Sequence, residues 1–170
     1  NKGFSFDDYK RAAKIVHDCG ATVKTYLLLK PPFVSEKKAI EDAVKSAELV
    51  APYSSTISLN LSNVQRYTLL ETLWQKKYFR PPWLWSAVEA IKGIKKREVV
   101  VMSDPVGAGH IRGPHNCGTC DRAITEAIKQ FNRTQDLRVL DRLEAIECEC
   151  RGAWRALIQF DDVLFGATIF

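Results

Sequence analysis

Four of the five cysteines in this 170-residue chain form two tight pairs, Cys117-Gly118-Thr119-Cys120 and Cys148-Glu149-Cys150. Two close thiolates at each end of a connecting segment can converge on one tetrahedral ion. Thiolates suit zinc, which is borderline-soft and whose closed four-sulfur sites hold small folds together. Structural zinc is the leading reading, an iron–sulfur cluster the second and four unligated thiols the third. Four sulfurs close the shell, so a catalytic metal with an open position is not expected. Cys19 has no partner in sequence and reads as a buried structural thiol. His110 and His115 flank Arg112 just before the first pair, where they could supply an alternative ligand or contact a substrate.

The elements that must position these groups follow from periodicity. The cysteine pairs are separated by an apparent helical hairpin with stripes at Ile124, Ala127, Ile128 and Phe131, then Leu137, Leu140 and Leu143. Before it lies a glycine-rich stretch from Ser103 to Asn116. It runs into the cysteine knuckle instead of opening a helix, so a loop wrapped around a metal site and a substrate fits better than a phosphate loop. Upstream, Ser5 and Asp8 are spaced as a capping box for a helix from Phe6 to about Cys19, and Thr22 to Leu29 reads as a buried strand closed by Pro31-Pro32. A second helix runs from Ser35 to Pro52, then a strand from Thr56 to Ser62, a helix over Leu69 to Lys77, another ending near Gly93, and a short strand over Val99 to Met102.

Strand, helix, strand in this order implies a parallel βαβ unit. In the middle strand Ile57, Leu59 and Leu61 alternate with Thr56, Ser58, Asn60 and Ser62. In a barrel with helices outside, the apolar set packs under the helices and the polar set faces a ligand. A solvated face of an edge strand is the plainer alternative. Trp74, Trp83 and Trp85 could stack on bases, but packing between helices is the favoured reading; Lys92, Lys95, Lys96 and Arg97 form a basic knot that is either solvated or meets phosphates.

Composition sets the outer bounds. The chain is 46% hydrophobic and 26% charged, with mean hydropathy −0.18 and pI about 9.0, which excludes disorder as the main description. No apolar run approaches the roughly 20 residues of a membrane span. The net charge of +5 favours polyanionic partners. Paired cysteines in an odd total fit metal ligation in a reducing cytoplasm better than a secreted disulfide framework. The one methionine is Met102, so the sequence is expected to be an internal or C-terminal piece of a longer polypeptide.

Specific strings carry a family resemblance. The runs Asn1-Lys2-Gly3-Phe4 and Gly20 to Glu36, with Lys30 and Pro32 where glycines are usual and Glu36 in the place of a glutamate, resemble the second half of a radical S-adenosylmethionine barrel. Arg66 and Thr68 match the later part of that signature. Val64-Gln65-Arg66, Arg80-Pro81-Pro82-Trp83-Leu84-Trp85-Ser86, Ser103-Asp104-Pro105 and above all Arg112-Gly113-Pro114-His115-Asn116-Cys117-Gly118-Thr119-Cys120-Asp121 resemble the Elongator-catalytic-subunit-like radical enzymes of the archaeal archaeosine synthase type.

The resemblance implies an α/β fold: the second part of a radical S-adenosylmethionine partial (β/α) barrel over residues 1–102, then a glycine-rich loop and small cysteine-ligated helical module over 103–170. It implies a tRNA-modifying enzyme in which a 4Fe-4S cluster reduces S-adenosylmethionine, and the 5′-deoxyadenosyl radical so formed cleaves a carbon–nitrogen bond of a lysine-bearing 7-deazaguanine to give archaeosine. A transglycosylase-like lysine-transferring subunit is the implied partner. Lys30, Glu36, Ser58, Asn60, Val64, Gln65 and Arg66 become candidate cofactor contacts, and Asp104, Arg112 and His115 candidate substrate contacts. The cluster motif Cys-x-x-x-Cys-x-x-Cys is absent from these residues and is expected upstream, so this piece alone should be inactive. The rival is a non-catalytic RNA-binding or scaffold module stabilised by zinc.

Overall fold

Ser5 opens the first helix, α1 (Phe6–Asp18): its hydroxyl accepts the Asp8 N–H at 3.1 Å while the Asp8 carboxylate accepts the Ser5 N–H at 2.8 Å. That is the reciprocal box the spacing predicts. The computed structural model describes residues 3–95 and 98–164, with side chains up to residue 160. Asn1, Lys2, Lys96 and Arg97 lie outside the described residues. β1 (Lys24–Leu29) follows, then α2 (Glu36–Val50), capped by Ser35 and ending in a single 3-10 turn at Ala51–Tyr53. β2 (Thr56–Leu61), α3 (Leu69–Gln75), α4 (Leu84–Lys95) and β3 (Val100–Met102) complete the α/β part.

The strands pair in parallel in the order β1-β2-β3, with Tyr26 opposite Ser58 and Ser58 opposite Met102. Leu29, Ile57, Leu59, Leu61 and Val101 are buried in one core with Ala39, Ala43 and Ala47 of α2 and Ala87, Ile91 and Ile94 of α4. Alanines on α2 let the helix lie close to the strands, and each fully buried Leu or Ile contributes about 1.5–3 kcal/mol. Gly93 lets α4 meet α2, since a Cβ there would stand 2.5 Å from Val44 Cγ2. The apolar half of β2 therefore packs under helices, as its alternation predicts.

The opposite sheet face is different. Tyr26, Leu28, Val100, Met102 and Asn60 are exposed there, while Ser58 is buried between its flanking neighbours. The polar set of β2 is thus split, Asn60 outward and Ser58 covered. The three strands form an open sheet among the described residues, not a closed barrel.

The two sheet edges are finished unequally. Beyond β3, α5 (Asp121–Thr134) presents Asn132 and its C-cap Gln135. Gln135 accepts the Val101 N–H at 2.9 Å and donates to the Val101 carbonyl at 2.7 Å; Asn132 accepts the Ser103 N–H at 2.9 Å and donates to the Ser103 carbonyl at 2.6 Å. Two side-chain amides stand in for a neighbouring strand and satisfy the β3 edge. No strand pairs with the outer edge of β1 among the described residues.

Three expectations need correction. The first is β1, which reads as a buried strand but buries only Leu29 and exposes Lys24, Tyr26 and Leu28, because helices cover one face of the sheet only. The second arm of the hairpin is not a full helix: it is the four-residue α6 (Arg138–Asp141) and a 3-10 turn at Arg142–Ala145, though Leu140 and Leu143 still face the core. A further helix, α7 (Glu149–Leu164), holds Cys150 in its first turn, with Cys148 just before it, and buries Trp154. Cys19 is exposed instead of buried, because it is the C-cap of α1, where the chain leaves the helix through Gly20 at φ +74°. One core cluster runs from Leu29 to Trp154, joining the α/β part to the cysteine-bearing part. No helix among the described residues is long and apolar enough to cross a membrane.

Candidate metal centre

The knuckle begins where Asp121 enters α5. Its buried carboxylate accepts the Asn116 N–H at 3.1 Å and the Gly118 N–H at 3.2 Å. Gly118 takes φ +92°, a conformation that suits glycine, and so folds Cys117 back towards Cys120. Asn116 then bridges two parts of the fold. Its side-chain oxygen accepts the Leu84 N–H at 2.9 Å at the start of α4, and its amide nitrogen donates to Cys120 Sγ at 3.3 Å. Cys148 arrives from the residue before α7 and Cys150 from its first turn, and Trp85 Nε1 donates to Cys150 Sγ at 3.5 Å.

The four sulfurs meet. Cys117 Sγ lies 3.9 Å from Cys120 and 3.4 Å from Cys148, Cys150 Sγ lies 3.5 Å from Cys120 and 3.3 Å from Cys148, and all four sulfurs fall within 4.8 Å of one another. A tetrahedral zinc with about 2.3 Å bonds places its sulfurs about 3.8 Å apart. The arrangement therefore fits one ion, and it is too tight for thiolates spread over the corners of a four-iron cluster. None of the cysteines is in a disulfide.

Electrostatics agree with the geometry. Burial acts to raise the Cys117 thiol, but backbone N–H groups of Cys120 and Thr119 and the neighbouring thiols outweigh it and bring it down to about 6. Burial pushes Cys120 up to about 11 and raises Cys150 as well. Without a cation the cluster tolerates few negative charges; a divalent ion would let all four ionise.

The loops at the carboxyl ends of the strands connect to this centre. Glu36 is 2% exposed, accepts the Trp83 N–H at 2.7 Å and forms an ion pair with Lys30. Arg80 donates to the carbonyls of His115 at 2.7 Å and Asn116 at 3.3 Å, with its guanidinium 4.1 Å from the Trp83 ring. Arg112 pairs with Glu71, donates to the Val64 carbonyl at 3.2 Å and lies 5.0 Å from the Trp74 ring, while the Val64 N–H returns a bond to the Arg112 carbonyl at 2.8 Å. His115 Nδ1 is 2.8 Å from the Gly113 carbonyl, and burial holds its imidazole below its ordinary 6.5. Gly113 crosses Gly107 so closely that a Cβ would stand 2.1 Å from the Gly107 carbonyl oxygen.

The candidate residues thus fall into groups. The four cysteines come together. Lys30 and Glu36 face each other beneath the α4 entrance, whereas Ser58 and Asn60 lie on the open sheet face. Gln65, Arg66 and Asp104 are exposed on loops, and Val64 is buried. Arg112 and His115 join the glycine-rich loop to its neighbours through internal bonds. His110 is exposed and outside the cysteine cluster. Of the basic knot, Lys92 pairs with Asp141 and Glu144, and Lys95 donates to the Val99 carbonyl. Trp85 is buried and Trp83 half-buried, in line with packing. Arg80, Asn116, Asp121 and Trp85 are the residues the cysteine spacing did not single out; the asparagine and aspartate flanking Cys-x-x-Cys are the readable signal, as donors and anchors for sulfur.

Comparison with known proteins adds the following. The chain is 45% identical over 171 aligned positions to archaeosine synthase subunit beta of Methanosarcina acetivorans, covering 99% of this chain and 49% of the relative. It is 50% identical over 162 positions to archaeosine synthase subunit beta of Thermococcus kodakarensis, covering 94% and 49%. An uncharacterized protein of Methanocaldococcus jannaschii is 35% identical over 167 positions, covering 95% and 45%. The chain spans about half the length of these curated relatives. No protein-family profile matches it, and no solved structure does.

Proposed function

We propose that this chain is part of an archaeosine-forming tRNA-modifying enzyme, and that it supplies one side of a radical S-adenosylmethionine barrel together with a zinc-held loop module. The carrying observation is the 45% and 50% identity to two proteins named archaeosine synthase subunit beta, over 99% and 94% of the chain. The fold supports the reading. The sheet is parallel, α2 and α4 lie on one face, and the other face offers Asn60 beside exposed Tyr26 and Met102, with Ser58 covered between its neighbours. An amide set among apolar side chains suits a nucleoside. The sealed β3 edge, and a β1 edge that no strand pairs with among the described residues, let a barrel continue from β1 alone.

S-adenosylmethionine and a 4Fe-4S cluster, when bound, supply the radical step. This chain has no Cys-x-x-x-Cys-x-x-Cys, so the cluster's ligands would lie outside these 170 residues. Its own residues bind and orient. Ser58 and Asn60 line the barrel interior, with Val64, Gln65 and Arg66 at the carboxyl end of β2 and the Lys30–Glu36 pair fixing the end of β1. Asp104, Arg112 and His115 belong to the loop that meets the nucleotide. Cys117, Cys120, Cys148 and Cys150 hold zinc in a closed shell that stakes this loop against α4. The partners are tRNA and the lysine-transferring transglycosylase-like subunit, in the cytoplasm.

The test uses the full-length protein, anaerobically reconstituted and reduced, with the partner subunit and tRNA carrying the lysine-bearing 7-deazaguanine. Reductive cleavage of S-adenosylmethionine together with archaeosine in the product supports the proposal. The closed four-sulfur site also favours a second reading, a zinc-stabilised RNA-binding or scaffold module. Zinc and tRNA bound with no cleavage of S-adenosylmethionine would establish that one instead.

A further inference from the structure

The loops at the carboxyl end of the sheet expose large aromatic side chains, two of them in a backbone conformation that such residues seldom adopt. Phe33, after β1, is 69% exposed at φ +65°, and Tyr67, after β2, is 96% exposed at φ +62°. Tyr78, between α3 and α4, is 69% exposed and follows Lys77 at φ +63°. A bulky side chain at positive φ is strained, and nothing in the described fold covers these rings in return.

The turns that hold them are built. Tyr67 gives its N–H to the Glu71 carboxylate at 2.7 Å, and the Thr68 hydroxyl donates to the Gln65 carbonyl at 2.7 Å. The loops share one end of the sheet. The Ser62 hydroxyl donates to the carbonyls of Leu29 at 2.8 Å and Lys30 at 2.7 Å, and Lys30 Nζ lies 5.8 Å from the ring of Phe79, next to Tyr78. The cations Arg66, Lys76 and Lys77 are exposed and adjoin Tyr67 and Tyr78 in sequence, and Asp104 is an exposed carboxylate in the loop after β3.

We infer that Phe33, Tyr67 and Tyr78 form a stacking platform for unpaired bases of RNA, with Arg66, Lys76 and Lys77 taking the phosphates. Rings held out of the protein by strained turns and set among cations are what sequence-tolerant single-strand recognition uses. Opened nucleotides near the base to be modified would lie over this platform, at the end of the sheet where Gln65 and Arg66 are placed. The inference rests on the tRNA reading above for the identity of the RNA, but not for its chemistry.

The test uses the full-length protein and two probes, a fluorescein-labelled 12-nucleotide single-stranded RNA containing 2-aminopurine and an unmodified tRNA transcript. Tyr67→Asn and Phe33→Asn remove the rings and suit positive φ. Each is expected to weaken RNA binding by about 5- to 100-fold and to reduce quenching of 2-aminopurine, with Tm equal to or above that of the parent. Tyr67→Trp is expected to retain binding. Unchanged affinity in the Asn variants overturns the inference, as does a fall in Tm that parallels the loss of binding. Unchanged RNA affinity with lost co-sedimentation of the partner subunit overturns it in favour of a protein-docking face. Archaeosine formation at the parental rate and affinity in the variants refutes the platform and leaves the enzyme reading intact; ring-dependent RNA binding without archaeosine formation does the reverse.

Discussion

Gln135 completes the hydrogen bonding of Val101 as a neighbouring strand would, with one bond of 2.9 Å to its amide nitrogen and one of 2.7 Å to its carbonyl. It does so from the C-cap of α5 at φ +55°, with its own N–H bonded to the Phe131 carbonyl at 2.7 Å. The sheet is thereby closed on the β3 side by a helix that also opens with the metal knuckle. Stability of the metal module and of the sheet edge are coupled.

Gln135→Ala leaves both backbone groups of Val101 without these partners and is expected to cost about 2–3 kcal/mol. Denaturant unfolding measures it. Hydrogen exchange at the Val101 amide should accelerate more than at Ile57, which pairs with Thr25 of β1 and Val101 of β3.

Trp85→Phe removes the N–H donor to Cys150 while keeping a ring in the core. Loss of such an outer-shell donor is expected to lower metal affinity about 10-fold or more, read by competition with a chromogenic chelator. Cys117→Ser breaks the shell and should abolish retention of the ion through dialysis. Unaltered affinity in Trp85→Phe would mean that the donor does not act on the bound thiolate.

The Arg112 guanidinium, with the Tyr67 N–H, holds the Glu71 carboxyl below its ordinary 4.5. A carboxyl lowered in the folded state adds stability above its unfolded value, and that stability is lost as pH falls through the folded value. Glu71→Gln is therefore expected to flatten the acid limb of the stability curve below about pH 4.5, with little change in shape above it. Thermal melts from neutral pH downward provide the comparison.

Gly113→Ala drives a methyl group into the Gly107 carbonyl, where backbone cannot yield cheaply. A cost of about 1–3 kcal/mol is expected, along with loss of the Val64 to Arg112 pairing. Amide chemical shifts of the loop from Ser103 to Asn116 would report that change. Gly118→Ala, by contrast, meets no neighbour within 4 Å and should show only the strain of its positive φ.

Much of this architecture was legible in the residues. The box at Ser5 and Asp8, the helix behind Ser35 and the alternation from Thr56 to Leu61 each rest on local chemistry, and each appears where its chemistry puts it. The cysteine pairs were legible for the same reason, because sulfur spacing carries its own geometry. Long-range partners were not. Nothing local in Gln135 or Asn132 announces a substitute strand, since their amides gain meaning only when α5 lies beside β3. Glu36 likewise finds its partner in the Trp83 backbone, 47 positions away. The second hairpin arm misled because Leu137, Leu140 and Leu143 repeat every three residues, a spacing that a short helix followed by a 3-10 turn satisfies as well as a long helix does.

The most direct measurement is nucleoside analysis of bulk tRNA from an archaeon in which the gene encoding this chain has been deleted and then restored. The account predicts that deletion removes archaeosine and accumulates the lysine-bearing 7-deazaguanine, and that the restored gene reverses both. Archaeosine at its normal level in the deletion strain would contradict it.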